Sequence, residues 1–399
     1  MQPVYIVDAT RTAIGRYGGG LSVVRPDDLL AEVLKALLKK QPNLDPRAIE
    51  EVISGAANQA GEDNRNVARM ASLLAGIPVS VAGVTVNRLC ASGLEAVIQA
   101  YRGIAVDDGE IYLAGGVESM SRAPFVMPKA DSAFSRVAEI YDTTIGWRFT
   151  NPKLSALHHP YSMGETAENV ADKYKITREE QDNFALSSQM KYKAALENGK
   201  FKPEITPIEI PQKKGNSLII NTDEHPRTDT TIESLAKLQP AFKKGGTVTA
   251  GNSSGVNDGA AALILCNEST LKRFNFKPIA IIKSTASAGV DPAIMGIGPV
   301  PATQKALKRA NLTINDLGLV ELNEAFAAQS IACIRDLNLN PQIVNVNGGA
   351  IALGHPLGCS GARILTTLLF EMQRTKTKYG LAALCIGVGQ GLAMVVENC

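Results

Sequence analysis

Short apolar runs alternate along this chain with segments of helical period, and this alternation restricts the fold more than any other feature. Residues 27–40 read DDLLAEVLKALLKK, with apolar pairs at 29/30, 33/34 and 37/38, which is typical of an amphipathic helix. Strands that alternate with such helices predict an α/β fold. The predicted strands are 4–7, 81–86, 111–114, 279–283, 343–346, 381–386 and 392–396.

Residues 121–250 interrupt this alternation, because they contain many prolines, lysines and polar stretches and few strong strand patterns. Thr177-Arg-Glu-Glu180 is a capping box that starts a helix, and Asn198-Gly199 ends it. We interpret 121–250 as a partly helical excursion from the α/β core. Long excursions on such scaffolds often shape binding sites.

The two ends of the chain resemble each other. Each has a Val-Asn pair, then a cysteine and a Ser-Gly pair, a helix, and a strand that ends in a glycine turn. The two sets are Val86-Asn87, Cys90-Ala-Ser-Gly93 and Gly115-Gly116, and Val346-Asn347, Cys359-Ser-Gly361 and Gly387-Val-Gly389. This order predicts two similar halves about a pseudo-twofold axis, with the chemistry at their junction.

Composition narrows the function classes. The chain has 399 residues, is 45% hydrophobic and carries a formal net charge of +2, which suits a globular enzyme of two or three domains rather than a nucleic-acid binder. A strand begins at Val4, and no apolar run is long enough to span a membrane, so we expect neither a signal peptide nor a membrane segment. The six cysteines form no CxxC pair, which predicts reduced thiols in the cytoplasm.

Cys90 lies in VNRLCASGLEAVIQAYRGI, where an apolar strand ends and a helix begins near Ala91. Free N–H groups and the positive end of the helix dipole stabilise a thiolate, so this position predicts a pKa below about 8.5. A buried structural cysteine is the commoner role of a free thiol. Cys90 alone leaves both interpretations open.

His355 lies in NGGAIALGHPLGCSGAR, among four glycines between 348 and 358 and directly before a proline. The segment predicts a turn that leads into a helix from about Ser360, with an extended backbone at the histidine. An imidazole displayed there could act as a general base for a thiol. An ordinary loop histidine is the alternative.

Three further segments are candidates. Cys385 ends a buried strand in LAALCIGVGQGLAMVVE; its glycine turn looks like a dinucleotide loop, but a strand follows where that loop needs a helix. Asn323 lies between a strand and a helix, either as an N-cap or as a residue that holds a water or a substrate oxygen. Residues 246–262, rich in Gly, Asn and Ser, form either a ligand-presenting loop or an ordinary turn.

Four motifs together resemble the thiolase family over essentially the whole chain: NRLCASGLEAV, NEAFAAQ, NGGAIALGHPLGCSGAR and CIGVGQG. The resemblance implies a five-layered α–β–α–β–α core of two duplicated halves with an inserted loop domain. We therefore expect halves at 1–120 plus about 251–273 and at 274–399, and a loop domain at 121–250. It also implies a homo-oligomer, either a tetramer or a dimer.

The resemblance further implies an acyltransferase that breaks or forms a carbon–carbon bond in a 3-oxoacyl-CoA through an acylated cysteine. Coenzyme A and acetyl-CoA would be substrates, with no metal, nicotinamide, flavin or other permanently bound cofactor. Cys90 is the implied nucleophile, and His355 is its base and a donor to the thioester oxygen. Cys385 is the implied acid and base at the carbon alpha to the thioester, and Asn323 would position an oxyanion-hole water. The N–H groups of Cys90 and Gly387 would form a second oxyanion hole.

For CoA binding, the resemblance implies Ser254 near the pantetheine, Arg227 at the adenosine-phosphate end, and Met163 and Met295 near the acyl end. The remaining implied contacts are Ser234, Phe242 and Phe326. Ser162 departs from the pattern, because several acetoacetyl-CoA thiolases have a histidine there.

Four segments are similar to the 3-oxoadipyl-CoA thiolases of this family, which act at the end of aromatic-acid breakdown. These segments are 61–70, 118–127, 142–149 and 223–233. An acetoacetyl-CoA thiolase, a general fatty-acid 3-ketoacyl-CoA thiolase and an inactive acyl-CoA-binding relative remain alternatives. A decarboxylating ketosynthase normally has a second histidine in place of Cys385, so the sequence argues against it.

Overall fold

The computed structural model describes residues 2–399 as a mixed α/β protein built around one ten-stranded sheet. The strands are β1 (Tyr5–Arg11), β2 (Gly15–Arg16), β3 (Glu51–Gly55), β4 (Ala82–Val86), β5 (Ile111–Ser119), β6 (Phe125–Val126), β7 (Tyr141–Asp142), β8 (Ile208–Ile210), β9 (Leu218–Ile220), β10 (Asn257–Cys266), β11 (Ala280–Gly289), β12 (Leu319–Leu322), β13 (Tyr379–Ile386) and β14 (Gln390–Asn398). The α-helices are α1 (Pro26–Lys40), α2 (Val67–Leu74), α3 (Ser92–Ala105), α4 (Pro152–Leu157), α5 (Met163–Tyr174), α6 (Arg178–Glu197), α7 (Ile232–Ala236), α8 (Glu268–Phe274), α9 (Pro299–Ala310), α10 (Ala327–Asp336), α11 (Ala350–Leu353) and α12 (Leu357–Thr375). None of the helices in residues 2–399 combines the length and apolar character needed to cross a membrane.

The sheet consists of two similar halves. The first has the order β4-β3-β5-β10-β1 and the second β12-β13-β14-β11. In each half one pair near the outer edge of the sheet, β3–β5 or β12–β13, is parallel, and the next two pairings towards the centre are antiparallel. Val344 forms a parallel bridge to Val320, at the place that β4 has in the first half. The predicted duplication is therefore confirmed, and a short antiparallel pairing of β1 with β11 joins the halves.

Alternating side chains of β10 show how the layers form. Ala261, Leu263 and Leu265 pack with α3 and α12 in the core between the two half-sheets, whereas Ala260, Ala262 and Ile264 pack with α1 and α2 on the outer face. In the second half, α9 and α10 cover the opposite outer face. A strand buried on both sides places successive residues in different cores. The five-layered arrangement is thus confirmed.

The repeated Ser-Gly pairs lie where the two central helices touch. A Cβ atom on Gly93 would lie 2.9 Å from the backbone nitrogen of Ala362, and one on Gly361 would lie 2.3 Å from that of Leu94. A carbon atom cannot come so close to a backbone nitrogen without steric overlap. Each glycine therefore lets α3 and α12 approach at the pseudo-twofold axis, which gives the repeated sequence a physical reason.

Residues 121–250 form helices α4–α7 and the short pairs β6–β7 and β8–β9. Their apolar side chains pack mainly on the second half: Tyr192 and Phe201 contact Ala352 and Leu353, just before His355. The excursion therefore covers the segment that carries the candidate base. The domain boundaries given above remain predictions.

Two local predictions are wrong. Residues 343–346 are not a strand, because Pro341–Ile343 is a 3-10 turn and Asn345 has φ of 46°. The Asn345 side chain instead accepts from the N–H of Leu322 and donates to its carbonyl oxygen, so it takes the place of the backbone hydrogen bonds that a strand would form there. The segment before His355 is not all turn, since it contains the short helix α11, and α12 begins at Leu357, three residues before the expected start.

Candidate active site

Cys90 lies in a tight connection between β4 and α3. Leu89 has φ of 48°, and residues Leu89–Ala91 form a single 3-10 turn before the helix. The Asn87 Oδ1 atom accepts from the N–H of Leu89 at 2.9 Å, and Ser92 Oγ accepts from the N–H of Arg88 at 2.8 Å. These short-range bonds satisfy donors that the turn leaves unpaired and hold the thiol at the start of the helix.

The pKa of Cys90 is shifted in the opposite direction to the prediction. Burial raises the pKa of this thiol to about 11, and Glu118 adds to the rise, although the N–H groups of Gly387 and of Cys90 itself act to lower it. Loss of hydration therefore outweighs the helix terminus. The thiol is protonated at neutral pH and needs a base before it can attack.

Cys90 is partly exposed in a cavity of about 400 Å³, within the size range of small-molecule sites. Glu118 lies in its wall and accepts from the N–H groups of Ala57, Asn58 and Gly358 at 2.8, 3.1 and 2.8 Å. Burial raises the pKa of Glu118 to about 7. The apolar wall includes Leu89, Met120, Met163, Leu357 and Val388.

His355 is held in one tautomer. Its Nδ1 atom lies 2.6 Å from Ser360 Oγ, and that hydroxyl donates its own proton to Pro356 O at 2.8 Å. Ser360 must therefore accept from Nδ1–H, which leaves Nε2 with a free lone pair. Burial, with a smaller effect of Arg363, lowers the pKa of His355 to about 3. The ring is thus a neutral base at neutral pH.

Asn257, which lies in the 246–262 segment but was not singled out there, positions the His355 backbone. Asn257 Oδ1 accepts from the His355 N–H at 2.9 Å, and Asn257 Nδ2 donates to Gly15 O at 2.9 Å. Gly354 has φ of 103°, and a Cβ there would overlap the Asn257 side chain at 2.4 Å. The asparagine lies 98 positions away from His355, so no local pattern pointed to the pair.

Asn323 follows β12, and its N–H donates to Ala383 O at 2.9 Å. Its Nδ2 atom lies 3.4 Å from Nε2 of His355. The buried Oδ1 atom has no hydrogen-bond partner within residues 2–399. The N-cap interpretation is wrong, since α10 begins at Ala327 with Phe326 at its cap. A buried amide beside the base is typical of a binding or catalytic group.

Cys385 is buried near the end of β13, in an apolar cluster with Met295 and Phe326 against which Met163 packs. Burial first, and then the nearby Cys90, raise the pKa of Cys385 well above its ordinary value. The two sulfurs are thus close enough to interact electrostatically. Met163 also lines the Cys90 cavity and therefore connects the surroundings of both cysteines.

Gly387 follows β13 and lies in the wall of the Cys90 cavity. Its backbone N–H group acts to lower the pKa of the Cys90 thiol. A Cβ at this position would lie 3.4 Å from both Leu89 and Met163. The backbone donor can therefore approach the nucleophile because no side chain intervenes.

The other predicted CoA contacts fall into two groups. Phe242 meets the ring of Phe326 edge-on at 6.1 Å, and the N–H of Ser254 donates to Ala325 O at 2.9 Å, so these residues border the Cys385 cluster. Arg227 and Ser234 line a second cavity of about 280 Å³. A shallow groove shares Thr144 and Ile145 with the Cys90 cavity and His225 and Arg227 with the second one. The groove therefore connects the Cys90 cavity with the second cavity, and an extended ligand can occupy both cavities.

Within residues 2–399, no group of three or more His, Cys, Asp or Glu side chains is arranged to hold a metal ion.

Comparison with known proteins gives consistent matches. The family model of the thiolase N-terminal domain matches residues 4–269, and that of the thiolase C-terminal domain matches residues 276–398. A beta-ketoadipyl-CoA thiolase of Acinetobacter baylyi is 53% identical, and a 3-oxoadipyl-CoA/3-oxo-5,6-dehydrosuberyl-CoA thiolase of Escherichia coli K12 is 55% identical, with 100% of each chain covered in both cases. The crystal structure of Bacillus anthracis acetyl-CoA acetyltransferase superimposes with a TM-score of 0.94 at 42% identity, covering 100% of this chain and 99% of that one.

Proposed function

The chain belongs to the thiolase family of acyltransferases, and on that premise we propose that it cleaves 3-oxoadipyl-CoA with CoA into succinyl-CoA and acetyl-CoA through an acylated Cys90. The full-length similarity to the Acinetobacter baylyi and Escherichia coli thiolases supports this substrate. The catalytic assignment depends on one observation: His355 is neutral and its Nε2 atom is unprotonated, 3.4 Å from Asn323 Nδ2. Cys90, whose thiol is protonated, needs such a base.

In the first step, His355 Nε2 takes the proton of Cys90 as the sulfur attacks the 3-oxo carbon of the substrate. The oxygen of that carbon becomes an oxyanion, and the N–H groups of Cys90 and Gly387 bind it. The place of Gly387 in the wall of the Cys90 cavity supports this role, and its N–H group acts to lower the pKa of the Cys90 thiol. Donors fixed in advance stabilise charge that develops only in the transition state.

In the second step, the bond between the carbons numbered 2 and 3 of the acyl chain breaks, and its electron pair passes to the acetyl-CoA enolate. His355, now protonated at Nε2, donates to the enolate oxygen, together with a water positioned by Asn323. The Cys385 thiol gives its proton to the enolate carbon. The raised pKa keeps this thiol protonated at neutral pH, so its proton is present when the enolate forms. The support for the role is the place of Cys385 in the cluster against which Met163, a residue of the Cys90 cavity, packs.

In the last step, the thiol of a new CoA attacks the succinyl thioester on Cys90. The Cys385 thiolate takes the proton of that CoA thiol. The bond between the succinyl carbonyl carbon and the Cys90 sulfur then breaks, the Cys90 thiolate takes back the proton held on His355 Nε2, and succinyl-CoA leaves. Every step can run in reverse, with Cys385 removing the alpha proton of acetyl-CoA in a Claisen condensation. The protein groups named here supply all proton transfers.

For the CoA moiety we propose Met163, Met295, Phe242 and Phe326 near the acyl end and Ser254 near the pantetheine, with Arg227 and Ser234 at the adenosine phosphates. The groove that shares residues with both cavities supports this path. Arg227 adds positive charge to the second cavity, which suits phosphate groups.

Acetoacetyl-CoA is the second candidate substrate, since the chain is similar throughout its length to the Bacillus anthracis acetyl-CoA acetyltransferase. The test is CoA-dependent thiolysis of 3-oxoadipyl-CoA, acetoacetyl-CoA and 3-oxooctanoyl-CoA, followed as loss of 3-oxoacyl thioester absorbance, with products identified by mass. We expect the highest kcat/KM for 3-oxoadipyl-CoA. A higher value for acetoacetyl-CoA would reassign the substrate, and no turnover of all three would overturn the proposed activity.

We also propose a cytoplasmic homo-oligomer, either a tetramer or a dimer. The six free cysteines support a reducing compartment. Strand β4 ends the sheet, and Val84 on it is 38% exposed, so this edge can pair with a second copy. Sedimentation equilibrium of the full chain checks this, and a monomer at micromolar concentration would exclude it.

A further inference from the structure

Arg148 gives the Cys90 cavity a positive charge that the catalytic steps above do not use. It is the one arginine or lysine among the lining residues in the part of the chain that the structure describes. Nearby arginines are neutralised: Arg122 pairs with Glu62, and Arg88 pairs with Glu95 at 2.8 Å. Arg148 forms no such ion pair within residues 2–399 and is half-buried. A partly desolvated, unpaired guanidinium is suited to bind an anion.

The segment that carries Arg148 is fixed at both ends. Asn58 Nδ2 donates to the backbone oxygen and the hydroxyl of Thr143 at 3.2 and 2.9 Å, and that hydroxyl donates to Pro124 O at 2.5 Å. At the other end, Trp147 Nε1 donates to Tyr161 O at 2.9 Å. Arg148 is therefore presented from a held backbone, which reduces the entropy lost when an anion binds.

Chain length restricts where the far carboxylate of the proposed substrate can lie. In 3-oxoadipyl-CoA that carboxylate carbon is three carbon–carbon bonds, of about 1.5 Å each, beyond the carbon that Cys90 attacks. It therefore stays inside the Cys90 cavity. Glu118, the acidic group near Cys90, disfavours a second anion at its own end of the cavity. Thr143 is buried, whereas Ile145 and Gly146 are exposed, so the 145–148 part of the segment lies at the rim of the cavity.

We propose that Arg148 binds the terminal carboxylate of the acyl chain and so selects acyl groups that end in a carboxylate over those that end in a methyl group. This inference builds on the proposed function and assigns the substrate class to one side chain. The rest of the cavity wall is mostly apolar and accepts the methylene groups. A neutral acyl chain of equal length leaves the guanidinium without its anion.

The test compares 3-oxoadipyl-CoA with 3-oxohexanoyl-CoA, which has six acyl carbons and a methyl end. Arg148→Gln is expected to lower kcat/KM for 3-oxoadipyl-CoA by about 10- to 100-fold more than for 3-oxohexanoyl-CoA, the usual effect of losing a charge-assisted hydrogen bond. Arg148→Lys, which keeps the charge but not the fork of donors, should restore part of the preference. Lys153→Gln removes an exposed cation five positions away and should leave the ratio unchanged.

Each outcome decides one claim. An equal loss for both substrates, with a higher KM for CoA, would mean that Arg148 contacts a CoA phosphate and would overturn its role in selection. An unchanged ratio in Arg148→Gln would overturn it as well. If the wild-type protein prefers 3-oxohexanoyl-CoA, the proposed substrate is wrong. If the wild-type protein prefers 3-oxoadipyl-CoA and Arg148→Gln keeps that preference, only the proposed role of Arg148 is wrong. Thermal melting of each variant checks that it folds.

Discussion

The strand-to-helix junctions of the two halves face each other, and their matching serines, Ser92 and Ser360, form different hydrogen bonds. In the first half, Ser92 bonds the backbone of its own turn, through Arg88 and Leu89. In the second, Ser360 bonds the Nδ1 atom of His355. One junction therefore fixes a thiol by fixing the backbone, and the other fixes an imidazole directly. The duplicated scaffold thus uses matching serines to support the proposed nucleophile in one half and the proposed base in the other.

Burial acts on both junctions in the same way. It raises the pKa of Cys90 to about 11 and lowers the pKa of His355 to about 3. Each group is therefore held in its neutral form, as a thiol and an imidazole rather than as the thiolate and imidazolium of an ion pair. In the proposed mechanism the proton moves as the sulfur attacks, so Cys90 depends on a base as well as on the helix terminus.

The strongest test of the comparison removes one cysteine from each half. We expect Cys90→Ala to lower kcat for thiolysis by at least about 10⁴-fold, because the acyl intermediate can no longer form. Cys359→Ala, in the matching segment of the second half, is the control. Its side chain is buried in the central core, so it should affect stability more than turnover. Comparable loss of activity in both variants would contradict the assignment.

A second test separates Cys385 from Cys90. Cys385→Ala should slow exchange of the alpha protons of acetyl-CoA, and thiolysis with it, by about 10²- to 10⁴-fold, which is the usual range for loss of a general acid or base. Acylation of Cys90 should persist and can be measured by intact mass. Alpha-proton exchange at the wild-type rate would assign this role to another group.

The pH dependence of alkylation tests the neutral resting state. Iodoacetamide reacts with the thiolate, and the pKa of Cys90 is raised to about 11, so its labelling rate should rise about tenfold per pH unit from pH 7 to pH 10. A thiol with an ordinary pKa, measured on the urea-unfolded protein, should level off above about pH 9. A plateau below pH 9 in the folded protein would mean that the helix terminus outweighs burial.

The smallest expected effect concerns the two serines. Ser360→Ala removes the acceptor of His355 Nδ1–H and releases the tautomer, so we expect kcat to fall about 10- to 100-fold. Ser92→Ala should instead lower the free energy of unfolding by about 1 kcal/mol, with a smaller change in kcat, because it loses only backbone bonds. Reversed effects would mean that the two junctions had been interpreted the wrong way round.

Several features were predictable from the sequence because they depend on local pattern. The helix at Pro26–Lys40 follows from apolar spacing, and the start of α6 follows from its capping box. The layered fold and the candidate residues came from four motifs that match one family. The prediction of a strand at 343–346 was wrong because the Asn345 side chain takes the place of backbone hydrogen bonds between strands there.

The α/β architecture and its internal duplication were predictable from the chain, since spacing and turn residues encode which faces are buried, and the candidate catalytic residues came from the resemblance of four motifs to one family. The protonation state of Cys90, the tautomer of His355 and the place of Arg148 in the Cys90 cavity became visible only in the folded protein. These properties depend on hydration and on contacts such as that of His355 with Asn257, 98 positions away. Interactions between residues so far apart leave no periodic trace in the chain.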